Sequence, residues 1–144
     1  SLGALTALTT PAKSSNFAAI AVHDPPVDFE TLVKEEMVYQ GFPPFLFYPT
    51  AHYSRIFKGV NITEVVPANA LPMGNKQPIL IFNGMLDGRV LAHHTDDLIK
   101  IANDLDIEVE AYRYDDMRHV QSIWVYTDEF SEAIVSFFQR NLSS

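Results

Sequence analysis

Residues 78–90 read Pro-Ile-Leu-Ile-Phe-Asn-Gly-Met-Leu-Asp-Gly-Arg-Val. The run 78–82 is short and apolar without alternation, as a strand buried on both faces must be. Asn83-Gly84 closes it with turn chemistry, and the loop that follows carries Asp87. Leu98, Ile101, Ala102 and Leu105 then recur at helical spacing, which predicts an amphipathic helix over 92–104 lying on the sheet. Beyond it, Ile107, Val109 and Ala111 alternate with Glu108, Glu110 and Tyr112, which predicts a strand near a sheet edge with the first set inward. That strand leads into 115–119 and ends at His119. Strand, helix, strand implies parallel neighbours joined by a crossover, so Asp87 and His119 reach the same end of the sheet, where open α/β sheets place their ligands.

Upstream, residues 2–13 read as a short helix ending near Pro11, and 17–23 as another buried parallel strand that Asp24-Pro25-Pro26 stops. The pattern then loosens into an insertion over 27–77. It holds a helix over 29–39, the breaker Gly41-Phe42-Pro43-Pro44 and a second short helix over 52–58. Eight of the seventeen aromatic residues fall there (Phe29, Tyr39, Phe42, Phe45, Phe47, Tyr48, Tyr53, Phe57), a concentration that suits either the wall of an apolar pocket or plain packing of a cap. At the other end, Phe130, Ala133, Ile134, Phe137 and Phe138 give a final helix over 125–141 a wide aromatic stripe. The expected fold class is α/β: a parallel sheet with flanking helices and a helical, aromatic-rich cap. Three blocks follow: 1–26 as first helix and strand, 27–77 as cap, and 78–144 as the part of the core that carries Asp87 and His119.

Bulk properties bound the function. At 144 residues with 47% hydrophobic content and a formal charge of −8, the chain is long enough for one core and too acidic to seek nucleic-acid phosphates or an anionic membrane. There is no cysteine, which removes disulfides, thiolate metal sites and thiol nucleophiles together. It leaves the compartment open, with a cytoplasmic setting as the default expectation. No apolar run approaches the ~20 residues of a membrane span.

Several segments, taken in order, resemble the C-terminal part of an α/β-hydrolase. Ser1-Leu2-Gly3-Ala4 resembles the end of a G-x-S-x-G nucleophile elbow and the helix it opens. Phe-Ala-Ala-Ile-Ala-Val-His-Asp-Pro-Pro-Val-Asp at 17–28 resembles the next strand and its loop into a cap. Residues 78–90 resemble the strand and loop that bear the acid, with Asn83 where His is common. Asp116-Met117-Arg118-His119 resembles the histidine loop, without the glycine that often precedes it. The resemblance covers nearly the whole chain and implies a serine hydrolase cleaving ester or related acyl bonds. In that reading Ser1 is the nucleophile, His119 the base and Asp87 the acid that holds the imidazole, while the Leu2 N–H gives one oxyanion donor. A small acyl substrate and no cofactor are implied. Folds of this kind commonly run roughly 200 to 250 residues, so a missing N-terminal half, a second chain or a homo-oligomer is expected to complete the unit.

Each candidate also has a plainer reading. Ser1 suits a helix cap, Asp87-Gly88 an ordinary turn, and His119 a polar loop. His93-His94 invites a metal reading with Asp87, Asp96 or Asp97 but lacks a known ligand spacing, so no metal is expected. His23 and His52 read as structural or cap residues. Asp115 and Asp116 read as loop residues able to orient His119, and Arg89 as a contact for a polar substrate group. Two other functions compete. One takes Ser1 as an N-terminal nucleophile with its own amine as base, a scheme that needs no downstream Asp and His. The other is a non-catalytic binding or assembly module on a truncated hydrolase fold, with the aromatic cap as its surface.

Overall fold

The computed structural model describes residues 2–13 and 16–142 and is built on a parallel sheet of three strands in the order β1-β2-β3. These are β1 (Ile20–His23), β2 (Ile79–Gly84) and β3 (Val109–Tyr114), with Ile20 opposite Ile79 and Ile79 opposite Val109. Every residue of the central β2 is buried, which is why its sequence shows no alternation. On one face Ile79 and Ile81 pack with Ala4 and Leu8 of α1 (Leu2–Thr9) and with Leu98 and Ala102 of α5 (Ala92–Asp104). On the other, Leu80 and Phe82 meet Ala133 and Phe137 of α7 (Thr127–Leu142). Helices thus cover both faces.

Two strands differ from the sequence reading. β1 starts at Ile20, three residues into the apolar run, because its ladder begins where the Ile20 N–H bonds to Pro78 O at 2.9 Å; Phe17 is exposed. In β3 the expected inward set holds in part: Ile107, just before the strand, is buried and Val109 packs on the face covered by α1 and α5. Ala111 is exposed, whereas Tyr112 and Tyr114 turn toward α7, Tyr112 stacking on Phe82 at 5.4 Å. α7 gives the second face of the sheet an aromatic layer, so Tyr112, expected outward, packs its ring there.

Helix α5 keeps the expected bounds, as does α2 (Phe29–Tyr39), whose start is set by Asp28: its Oδ1 accepts from Thr31 N at 2.7 Å. α3 spans Phe47–Lys58 and so begins five residues before the expected start. Pro49 lies in its first turn, where a missing N–H removes no intrahelical bond. A short α4 (Pro67–Ala70) was not expected. The final helix α7 lies within two residues of its expected bounds, and a short α6 (Ser122–Val125) that was not expected precedes it, set apart by Tyr126 at φ −111° and ψ 43°. The Tyr126 ring stacks on Tyr114 at 4.9 Å and its hydroxyl donates to Asp116 at 3.0 Å, a tertiary fit that overrides the helical period. Of the eight clustered aromatics, Phe47 is fully buried and Phe29 half-buried, while Tyr39, Phe42, Phe45, Tyr48, Tyr53 and Phe57 are exposed. No helix among the described residues is long and apolar enough to cross a membrane.

One glycine is required where β2 ends. A Cβ on Gly84 would lie 2.6 Å from Met117 O and 2.8 Å from Arg118 O, backbone atoms that cannot step aside singly. Gly84→Ala is therefore expected to lower unfolding free energy by about 1–3 kcal/mol in a denaturant titration, the usual cost of overpacking. A variant as stable as the wild type would show that the two loops can separate freely.

Candidate active site

Parallel pairing of β2 and β3 sends both chains out of the sheet at one end, and backbone bonds then tie the two loops together. Met85 N donates to Tyr114 O at 2.9 Å, and Leu86 N to Met117 O at 2.9 Å. This brings Asp87 to His119 across 32 residues of sequence, with Asp87 Oδ2 2.6 Å from His119 Nδ1. The other oxygen, Oδ1, accepts from Arg89 N at 2.8 Å and Val90 N at 3.1 Å, an Asx turn that fixes the carboxylate plane. Asp87 acts only as an acceptor here, so Nδ1 carries the shared hydrogen and Nε2 on the far side of the ring has the lone pair of a base. The Asp87 side chain is fully buried, whereas 19% of the His119 side chain is accessible.

A second buried carboxylate stands behind this pair. Asp24 follows β1 directly; its Oδ1 accepts from Gly84 N at 3.0 Å and Asn83 Nδ2 at 3.2 Å, and its Oδ2 from Val120 N at 2.8 Å. His119 Nδ1 is 3.7 Å from the same Oδ2, too far for a hydrogen bond. The sequence reading treated Asp24-Pro25-Pro26 as a strand stop and missed this role. A signal was present, since Asp28 already caps α2 and leaves Asp24 without a local task. Next to it, His23, partly buried, packs against Phe82 and Phe130, with Nε2 3.0 Å from Ser122 Oγ. Burial pushes its pKa below 6.5 against the opposing pull of Asp24, and it serves as a structural histidine, as expected.

His119 borders a cleft of about 310 Å³. Leu2, Phe29, Leu32, Val33 and Met37 give it apolar walls, and Arg89 and Glu36 form a polar rim, 3.5 Å apart. Leu2, the expected oxyanion donor, opens α1 beside His119 in this cleft, and the first N–H groups of a helix have no partner within it. Ser1, the expected nucleophile, lies outside the described residues.

The remaining candidates sort by their contacts. Asp116 accepts from Tyr126, and Asp115 is exposed; the carboxylates beside His119 are Asp87 and Asp24 instead. His52 is exposed on α3. His93 and His94 both reach Glu35 of α2, at 2.7 and 2.8 Å. Val27 N donates to His94 Nδ1 at 3.1 Å, so Nε2 carries the hydrogen given to Glu35, and the ring has no lone pair left for a cation. In the same way the oxygens of Asp24 and Asp87 are taken by N–H donors, an arrangement suited to holding an imidazole and a turn rather than a metal.

Burial acts to raise the Asp87 pKa, but the bonds from His119, Arg89 N and Val90 N outweigh it, and the carboxyl sits below its ordinary 3.8. A depressed folded value means that the group stabilises the fold fully above the unfolded pKa and loses that contribution as pH falls through the folded one. Below about pH 4, the wild type should thus lose unfolding free energy more steeply than Asp87→Asn. Parallel pH profiles in chemical denaturation would remove Asp87 as a source of acid sensitivity.

The model of the prolyl oligopeptidase family matches residues 1–144. An esterase of Pyrococcus furiosus aligns with 98% of this chain and 51% of its own, at 20% identity and a TM-score of 0.67. The acylaminoacyl peptidase of Pyrococcus horikoshii aligns with 98% of this chain and 23% of its own, at 14% identity and a TM-score of 0.73. For dipeptidyl peptidase 4 of Porphyromonas gingivalis the figures are 94%, 18%, 16% identity and 0.62. The chain therefore spans about half of the esterase and less than a quarter of either peptidase, and at these identities the likeness is one of fold. No curated protein matches the chain in sequence. With its helix-covered parallel sheet and a family match that runs from the first residue to the last, the chain belongs to the prolyl oligopeptidase family and has the α/β-hydrolase fold.

Proposed function

We propose that this chain supplies the catalytic face of a serine hydrolase acting on ester or related acyl bonds. The observation that carries the reading is the 2.6 Å contact between His119 Nδ1 and buried Asp87, set beside a cleft that Leu2 also borders. Ser1 precedes Leu2 and is assigned as nucleophile. His119 Nε2 takes its proton as the hydroxyl oxygen bonds to the acyl carbon, and Asp87 stabilises the imidazolium that forms. The tetrahedral oxyanion is met by the Leu2 N–H, and a second donor comes from chain outside this sequence. Collapse of the intermediate breaks the acyl bond, with His119 returning the proton to the leaving group; water then repeats the cycle on the acyl-serine.

The walls of the cleft favour an apolar acyl group, with the Arg89–Glu36 pair at the rim for a polar substituent. Residues 27–77 act as the cap over this site, between the blocks 1–26 and 78–144. Among the described residues β1 pairs with β2 alone, so its outer edge is where preceding sequence or a second chain adds the next strand.

The test is labelling with a fluorophosphonate probe, on the chain joined to any native sequence before Ser1. Peptide mapping should place the adduct on Ser1, and His119→Ala should abolish it while lowering turnover by roughly three to six orders of magnitude with folding intact. Turnover at the wild-type level in that variant would sink the assignment of the base. A folded protein that the probe leaves unmodified would favour the binding-module reading, with the exposed Tyr39, Phe42, Tyr53 and Phe57 as its surface.

A further inference from the structure

His119 is followed by a backbone conformation that its sequence disfavours. Val120 sits at φ +54°, where its branched side chain crowds the backbone, and such residues persist only when their surroundings hold them. The group that holds this one is Asp24, whose Oδ2 accepts the Val120 N–H at 2.8 Å. Asp24 is itself unusual. It has φ +43°, although a residue before proline is driven toward extended backbone, and its side chain is fully buried. Its other oxygen is anchored to Gly84 N and Asn83 Nδ2 at the end of β2, the strand that leads into Asp87. One carboxylate therefore joins the end of β1, the acid strand and the peptide after His119.

We propose that Asp24 is a positioning residue for His119: it holds Val120 in its left-handed conformation and so aims the imidazole at Asp87. The inference rests on the reading of His119 as the base, and it adds a third residue to the parts that make the His119–Asp87 pair. Asp24 touches no reacting atom. It acts through the backbone of Val120, and the alternatives of direct charge action on His119 or simple core filling make different predictions.

The experiment uses the chain with any native upstream sequence and reads two signals that need no substrate. One is the downfield proton resonance of His119 Nδ1–H bonded to Asp87; the other is amide exchange at Val120. In the unaltered protein the Val120 amide should exchange slowly, since its hydrogen is given to a buried oxygen; exchange at the rate of an open loop would overturn the proposal. In Asp24→Asn the resonance should broaden or move upfield. Where turnover is measured, kcat should fall about 10- to 100-fold with KM unchanged, the scale of loss for a catalytic group misplaced by about 1 Å. Val120→Gly in the Asp24→Asn background should restore part of the lost kcat and of the resonance, because glycine adopts positive φ without the steric cost. No recovery, or an Asp24→Asn protein with wild-type kcat and resonance, would reject the positioning role. A wild type that shows the resonance but is never labelled by fluorophosphonate rejects the hydrolase reading, while the Asp24→Asn spectrum still decides the role of Asp24.

Discussion

Backbone contact between the loops that follow β2 and β3 is the constraint on which the site depends. Gly84 lies so close to the carbonyls of Met117 and Arg118 that no side chain fits between them, and the Leu86 N–H donates into the same turn. Hydrogen bonds at such contacts are short-range and directional, so the two loops have one relative placement. Asp87 and His119 inherit that placement. Their 2.6 Å contact is a product of where the main chains meet, with side-chain rotamers adding the last adjustment.

Around that contact the protein buries two carboxylates, Asp24 and Asp87, within reach of one imidazole. Buried carboxylates are costly unless donors surround them, and here each one is surrounded. Backbone N–H groups from Gly84, Arg89, Val90 and Val120 supply most of the bonds, which makes the arrangement insensitive to which side chains flank it. The same bonds link sheet, acid loop and histidine turn. Electrostatic satisfaction and geometric precision are therefore one device in this region, and the unfavourable φ of Asp24 and Val120 is part of it.

Much of the fold was legible because it follows from local periodicity. The bounds of α2 and α5 come directly from a cap residue and a 3.6-residue stripe, and β2 from an unbroken apolar run. The reading failed where a distant partner decided the outcome. Tyr126 sets a short α6 apart from α7 because Tyr114 and Asp116 are there to receive it, and Tyr112, expected outward in β3, is drawn to Phe82 and the rings of α7 on the second face of the sheet. The aromatic concentration in 27–77 was visible, but composition could not tell Phe47, which is buried, from Phe45 two residues earlier, which is exposed.

For the site, local pattern alone puts Asp87 and His119 each after a strand, and parallel order then requires both to leave the sheet at the same end. The side-chain chemistry was also in the letters: an acceptor-only carboxylate and an imidazole. It took the packed fold to bring these two groups within hydrogen-bond distance, to place Leu2 in the cleft that His119 borders, and to bring Asp24 to them from 96 residues before Val120. The difference is one of range. Periodicity and capping act within a few residues along the chain, whereas the bonds made by Asp24 form only once three strands have already been brought side by side.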